Sequence, residues 1–219
     1  METVSRRDRE KLFREGEIIA AAERVFHARG YEAASMDEIA REAQFTKRTL
    51  YQYFENKEEL YLAVVLKGFK SLFEYLSQVA EPHEKGFIRI QKTCKGYYEF
   101  FRDNAETFRT ISYWGHVKKK ASAESKKKYE LAEFNNIMFE SVARVIEEGK
   151  ADGSIKPDLD SNKAAFSLVF MMTGFMNQLS ATGESFTQHF SLDIEDFSLY
   201  TIDMLLETLK NTADMNNKK

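Results

Sequence analysis

The run SMDEIAREAQFTKRTLYQYFENKEEL, from Ser35 to Leu60, restricts what this chain can fold into more than any other stretch. Ser35 followed three residues later by Glu38 is a capping-box helix start. Ile39, Ala40 and Ala43 come next at helical spacing and give that helix one apolar side. Gln44 and Phe45 interrupt the pattern, and Thr46 caps a second helix predicted over Lys47 to Tyr53. Asn56, with Glu59 three positions on, caps a third helix that opens near Lys57. Two helices of roughly two turns, joined by a turn of about three residues, make a helix-turn-helix. In such a unit the second helix enters the major groove while the first crosses the phosphate backbone.

The second helix therefore decides what the unit does. Lys47, Arg48, Thr49, Gln52 and Tyr53 face outward on it, and Leu50 and Phe54 lie on the opposite side. Two cations, a hydroxyl, an amide and a phenol suit phosphates and base edges, with Arg48 the candidate for reading a guanine. An ordinary solvated helix mixes in acids; Lys47 to Phe54 contains none, although the chain carries a net charge of −3.

The pattern of Met36, Ile39-Ala40, Ala43, Thr46, Thr49-Leu50-Tyr51, Tyr53-Phe54, Lys57 and Leu60 resembles the DNA-binding domain of TetR-type regulators. That resemblance implies an all-α protein with a three-helix head and a larger helical domain for ligand binding and dimerisation. The expected division is 1–56 for the head and 57–219 for the remainder. Candidate DNA contacts are Ser35, Thr46, Lys47, Arg48, Thr49, Tyr51, Gln52, Tyr53 and Lys57. Members of the family usually have Ala-Gly and an aliphatic residue in the turn, where this chain has Ala43, Gln44 and Phe45. Either the turn does without a left-handed residue, or Gln44 adopts that conformation at some cost.

Charge has to act locally here. Residues 1–57 hold 11 Lys or Arg and 11 Asp or Glu. Arg6, Arg7 and Arg9 cluster at one end, and Lys47 and Arg48 on the second helix of the motif; such clusters matter because affinity follows the number of phosphates neutralised. Met1 to Asp8 is expected to fray, with Arg6 and Arg7 either reaching DNA or forming a basic tail. The single cysteine, Cys94, excludes an internal disulfide and fits a reducing cytoplasm. In its aromatic helical surroundings it reads as a small buried hydrophobe ahead of a redox sensor. The N-terminus has no apolar signal region, and Ala164 to Met176 is too short and mixed for a membrane span. A cytoplasmic location is expected.

About nine helices are expected, with no alternation long enough for a strand. The first, Arg9 to Arg29, ends at Gly30 and packs on the motif. The helix from Lys57 continues through Leu76 without a Pro or Gly cluster and so joins head to body rigidly, Gly68 being a possible bend. Glu81-Pro82 breaks the pattern. Helices follow over Glu84 to Arg102, from Asp103 or Asn104 to Tyr113, and from Ala121 to Lys150. GKADGSIKPDL is the plainest loop; the next helix reaches about Ala181, and the last spans Ile194 to Lys210.

Aromatic residues crowd the helices between 69 and 139. Most read as core, yet Tyr97-Tyr98 and Phe100-Phe101 point to different sides of one helix and need a second environment. The resemblance implies an inducer pocket, for which Phe69, Tyr97, Phe101, Phe108, Tyr113, Trp114, Phe134 and Met138 are candidates, His116 and Asn135 adding polarity. A hydrophobic or aromatic small molecule fits such walls. Helix 164–179 is apolar around most of its circumference and needs a partner beyond its own core. With the last helix it would form a four-helix interface about a twofold axis, using Phe166, Phe170, Thr173, Phe175, Met176, Phe197, Tyr200 and Met204. The loop before it also resembles the family's connection to its dimer helix.

Nothing in the sequence favours an enzyme. His27, His83, His116 and His189 are scattered without metal-ligand spacing, and no phosphate-binding Gly-rich loop or nucleophile elbow occurs. No cofactor is expected. The expected partners are an operator in double-stranded DNA, a second copy of the chain and a small effector. The competing reading is a helical small-molecule-binding or scaffold protein whose head meets protein instead of DNA.

Overall fold

A computed structural model describes residues 5–118 and 125–212, apart from the side chains of His116 and Lys118. The basic stretch at 119–120, the residues 121–124 expected to open a helix, and the tail beyond Thr212 lie outside those described, as does the proposed pocket role of His116. Nine α-helices make up the described residues: α1 (Arg6–Ala33), α2 (Met36–Glu42), α3 (Lys47–Tyr53), α4 (Lys57–Leu76), α5 (Gly86–Asp103), α6 (Ala105–Lys118), α7 (Lys126–Ala151), α8 (Ser161–Phe190) and α9 (Ile194–Leu206). The only extended pairing among them is an isolated bridge between Ile155 and Lys210. The all-α expectation holds.

Two compact units divide the chain, one of residues 1–70 and 106–133, the other of 71–105 and 134–219. In the first, α1 starts at Arg6 because the Ser5 hydroxyl accepts from the Asp8 amide. Arg6 and Arg7 are thus helical where a frayed end was expected. The helix breaks at Gly30, whose φ of +73° and ψ of 165° are open to glycine at little cost. Its buried face is Ile18, Ala21, Ala22, Val25 and Phe26; Ile39 and Ala40 of α2, Leu50 of α3 and Leu60 and Val64 of α4 are buried as well. Helix α1 lies against α2 and α2 against α3, and Phe26 meets Tyr61 of α4 edge-on at 5.0 Å. Gly68 is a close-approach site within α4 and not a bend: a Cβ there would meet Ile111 of α6 at 3.1 Å.

In the second unit, the expected loop after α7 caps another helix from a distance. The Asp152 carboxylate accepts from the Gly86 amide at 2.7 Å, and the Ser154 hydroxyl from the Phe87 amide at 3.0 Å. These are first-turn donors of α5 that no preceding residue satisfies, since Lys85 makes no side-chain cap. The start of α5 also lies against α7 at Gly86 and Gly149.

Helix α8 runs nine residues past its expected end, to Phe190. Residues 181–190 include Thr182, Gly183 and Ser185, which disfavour a helix by intrinsic propensity. In the fold Gly183 is buried beside Leu179 and Ile194, and the Thr187 hydroxyl bonds back to its carbonyl at 2.8 Å. At this length α8 is long and apolar enough, by length and composition, to cross a membrane, which the shorter run considered from sequence was not. Helix α9 is correspondingly shorter than expected, ending at Leu206.

Candidate nucleic-acid interface

The two helices of the motif are fixed at their ends by their own hydroxyls. Ser35 accepts from the Glu38 amide at 3.2 Å and Thr46 from the Thr49 amide at 3.1 Å, both as N-caps. The Thr46 and Thr49 hydroxyls are also 2.8 Å apart and share a hydrogen bond. Between the helices, Phe45 N–H donates to Ala40 O at 2.9 Å and Gln44 N–H to Arg41 O at 3.1 Å. This is a Schellman ending, which demands a left-handed residue at its centre. Gln44 supplies it with φ +57°. The second of the two alternatives for the turn is the one the chain adopts.

That turn presents α3 with Leu50 and Phe54 buried and Arg48, Tyr51 and Gln52 exposed; Thr49 and Tyr53 are half-buried. Lys47 is exposed as well, but it is not free. Its Nζ lies 2.9 Å from the carboxylate of Asp37, in the first turn of α2. The hydrogen bond and charge of Asp37 together raise the Lys47 pKa above its usual value. Sequence reasoning missed Asp37; its place ten residues before Lys47 gave no local signal. Among the described residues, Arg48 has no ion-pair partner.

Lys57 is used differently from the expectation. Its Nζ donates to the carbonyls of Tyr31, Glu32 and Ala34 at 2.8, 3.2 and 3.0 Å, and sits 4.5 Å from the Tyr31 ring centroid. An ammonium has three N–H donors, and all three go to the end of α1. The geometry makes Lys57 a staple between α1 and α4, with no donor left over for a phosphate.

Residues 18–64 match the family of bacterial regulatory proteins known as the tetR family. That match covers the head of the chain, with the helix-turn-helix at its centre. The chain is 36% identical over 98 residues to the HTH-type transcriptional activator FasR of Mycolicibacterium smegmatis, a match that spans 45% of each protein. It is 25% identical over 150 residues to the uncharacterised HTH-type regulator YfiR of Bacillus subtilis, covering 66% of this chain and 69% of that one. The fold of a tetR-family regulatory protein from Rhodococcus RHA1 is similar over 91% of this chain and 98% of that one, with a TM-score of 0.68 and 24% identity.

The candidate effector residues are split between the two units. In the first, Phe69 meets Trp114 edge-on with centroids 6.4 Å apart, and Phe108 is buried. Tyr113 belongs to an aromatic cluster with Tyr31 and Tyr61, at 6.1 and 6.3 Å. Its hydroxyl donates to Glu32 at 3.0 Å, while the Tyr61 hydroxyl donates to the Thr110 carbonyl at 2.8 Å. Burial pushes the Tyr61 phenol well above its normal pKa. In the second unit, Phe134 meets Phe73 at 5.8 Å, Phe101 meets Tyr98 at 6.3 Å, and the Tyr97 and Thr173 hydroxyls are 3.5 Å apart. Met138 and Asn135 are half-buried there.

The second unit also carries an exposed apolar surface on α8 and α9. Phe166, Phe170, Tyr200 and Met204 are exposed, Phe170 and Tyr200 by 70% and 69%. Phe139 of α7, absent from the sequence-based candidates, stacks beside Phe166 at 4.4 Å and Phe170 at 6.4 Å. Phe175 and Phe197 are half-buried against each other, and Thr173 is half-buried. Met176 points the other way and is fully buried in its own unit, so it is packed as core and is not part of the exposed surface.

Proposed function

We propose that this protein is a homodimeric DNA-binding transcriptional regulator, a repressor released by a hydrophobic or aromatic effector. One observation carries the DNA-binding reading: α3 exposes Arg48, Tyr51 and Gln52 with no acidic side chain on the helix, in an otherwise acidic protein. Arg48 is the residue for a guanine edge in the major groove, and the neighbouring hydroxyls and cations serve phosphates. The apolar surface of α8 and α9 supports a second copy as the partner, since exposed aromatic side chains in contiguous patches mark association sites. Two heads would then read successive grooves of a near-palindromic site.

Effector control is supported by the way α6 is tied to the head. Tyr61–Thr110 and Tyr113–Glu32 join α6 to α4 and to the end of α1. An effector that binds better to one position of α6 shifts the head by no more than that difference in affinity. The FasR relative is named an activator, so a reporter gene behind the target promoter reads the sign of control in this chain.

The deciding experiment titrates a fluorescent duplex from upstream of the protein's own gene beside a scrambled duplex of equal length. Affinity several kcal/mol better for the native sequence is expected. Absence of salt-dependent binding to either duplex would instead favour the helical scaffold reading.

A further inference from the structure

The cation on α3 nearest to α2 is already engaged by an anion of the same head. Lys47 Nζ is 2.9 Å from one Asp37 carboxylate oxygen and 3.0 Å from the other, with side-chain exposures of 53% and 62%. Asp37 lies in the first turn of α2, where the helix dipole favours a carboxylate. An exposed pair of this kind is weak. Lys47 can therefore leave Asp37 for a phosphate, but the carboxylate is then left unpaired close to the DNA backbone.

We infer that Asp37 is a specificity-determining residue that holds back indiscriminate DNA binding by competing with phosphate for Lys47. The inference rests on the DNA-binding reading of α3 given above. On an arbitrary duplex the gain of a Lys47–phosphate contact is offset by the loss of the Asp37 pair and by repulsion between that carboxylate and DNA. On the right site, contacts from Arg48 and its neighbours to base edges add to the balance and Lys47 is transferred. The cost is the same on every duplex, so only a site whose base edges add contacts to Arg48 and its neighbours is held tightly.

The test uses the full-length protein and a fluorescent duplex of about 30 base pairs with random sequence, titrated from low to moderate salt. Asp37→Asn should tighten binding about fivefold at low salt. It should also steepen the dependence of log K on log salt by about 0.9, the increment for one more phosphate neutralised. In a Lys47→Ala background the same change should give under half of that gain on a logarithmic scale, because the cation Asp37 competes for is gone. Asp37→Ser should repeat the pattern, and matching thermal melts establish that the variants are folded. Unchanged or weaker binding by Asp37→Asn overturns the inference. So does an equal gain with and without Lys47, which would reduce Asp37 to a background charge. If the wild-type protein binds no duplex at all, the DNA-binding reading itself fails; if it binds and Asp37→Asn does not differ, only the role given to Asp37 fails.

Discussion

Lys57 holds Tyr31 in two ways, donating to its carbonyl at 2.8 Å while lying 4.5 Å from its ring centroid. The same ammonium reaches the Glu32 and Ala34 carbonyls, so one side chain satisfies three acceptors where α1 gives way to α2. Replacing it with Met removes the donors and keeps most of the stem. Hydrogen bonds to a charged group contribute about 1.5–3 kcal/mol each when well buried, less here because the site is partly exposed. Lys57→Met should lower stability by about 2 kcal/mol in urea unfolding. Below 0.5 kcal/mol, the three bonds would be exchanging freely with water.

Gln44 offers a change of opposite sign. A non-glycine residue at φ +57° bears a steric cost of about 1 kcal/mol that glycine avoids. Part of that is offset because glycine has more freedom to lose on folding. Gln44→Gly should therefore stabilise the head by about 0.5 kcal/mol, with the Phe45–Ala40 and Gln44–Arg41 backbone bonds unchanged. A thermal melt reads the sign, and a fall in Tm would mean that the Gln44 side chain contributes something its backbone conformation does not reveal.

These two residues mark where the sequence was informative and where it was not. Caps and periodicities were readable because they are local: Ser35–Glu38, Thr46–Thr49 and Asn56–Glu59 all form within one helical turn. The candidate face of α3 followed from the same local spacing. Lys57 was misjudged because its partners lie 23 to 26 residues earlier in the chain, and Asp37 was missed for the same kind of reason. The far end of α8 was not anticipated, and Gly183 and Thr187 there weaken a helix by intrinsic propensity. Packing of Gly183 against Ile194 overrides that preference, and no local pattern announces such a contact.

Gly86 and Gly149 approach too closely to admit any side chain. A Cβ on Gly86 would lie 2.4 Å from the Gly149 Cα and 2.8 Å from the Val145 carbonyl oxygen. Those are backbone atoms, so relief requires α5 and α7 to move apart. Gly86→Ala should cost about 3 kcal/mol, at the upper end of ordinary overpacking. Gly149→Ala should cost less, because its nearest obstacle is the end of the Ile155 side chain, which can turn aside. Chemical unfolding of the two variants checks the order; equal costs would indicate that Ile155 is as fixed as the backbone.

Cys94 is 4% exposed, and burial pushes its thiol up to about 12 from an ordinary 9.0. The native state thus holds the thiol proton more tightly than the unfolded chain does. Its contribution to stability is complete below pH 9.0 and is lost as the pH rises toward 12. Native protein at pH 7.5 should react with iodoacetamide at least about a hundred times more slowly than urea-unfolded protein, since only the thiolate attacks. Fast native labelling would mean that α5 opens frequently, and would revive the redox reading.

The exposed faces of Phe170 and Tyr200 give the proposed dimer its sharpest test. Both rings are about 70% exposed in the single chain, so a charge placed at either position meets solvent in a monomer and apolar surface in a dimer. Phe170→Glu and Tyr200→Glu should leave the melting of a lone subunit nearly unchanged, because neither side chain belongs to its core. In a dimer each substitution buries two carboxylates about the twofold axis, one per subunit, at a cost that neither can offset by pairing. Light scattering should find wild-type protein at twice the 25.5 kDa of one chain and both variants near one chain mass. DNA affinity should fall with the dimer, because a single head loses the second half-site and with it about half of the phosphate contacts. Variants that remain dimeric at micromolar concentration would place the partner on some other surface.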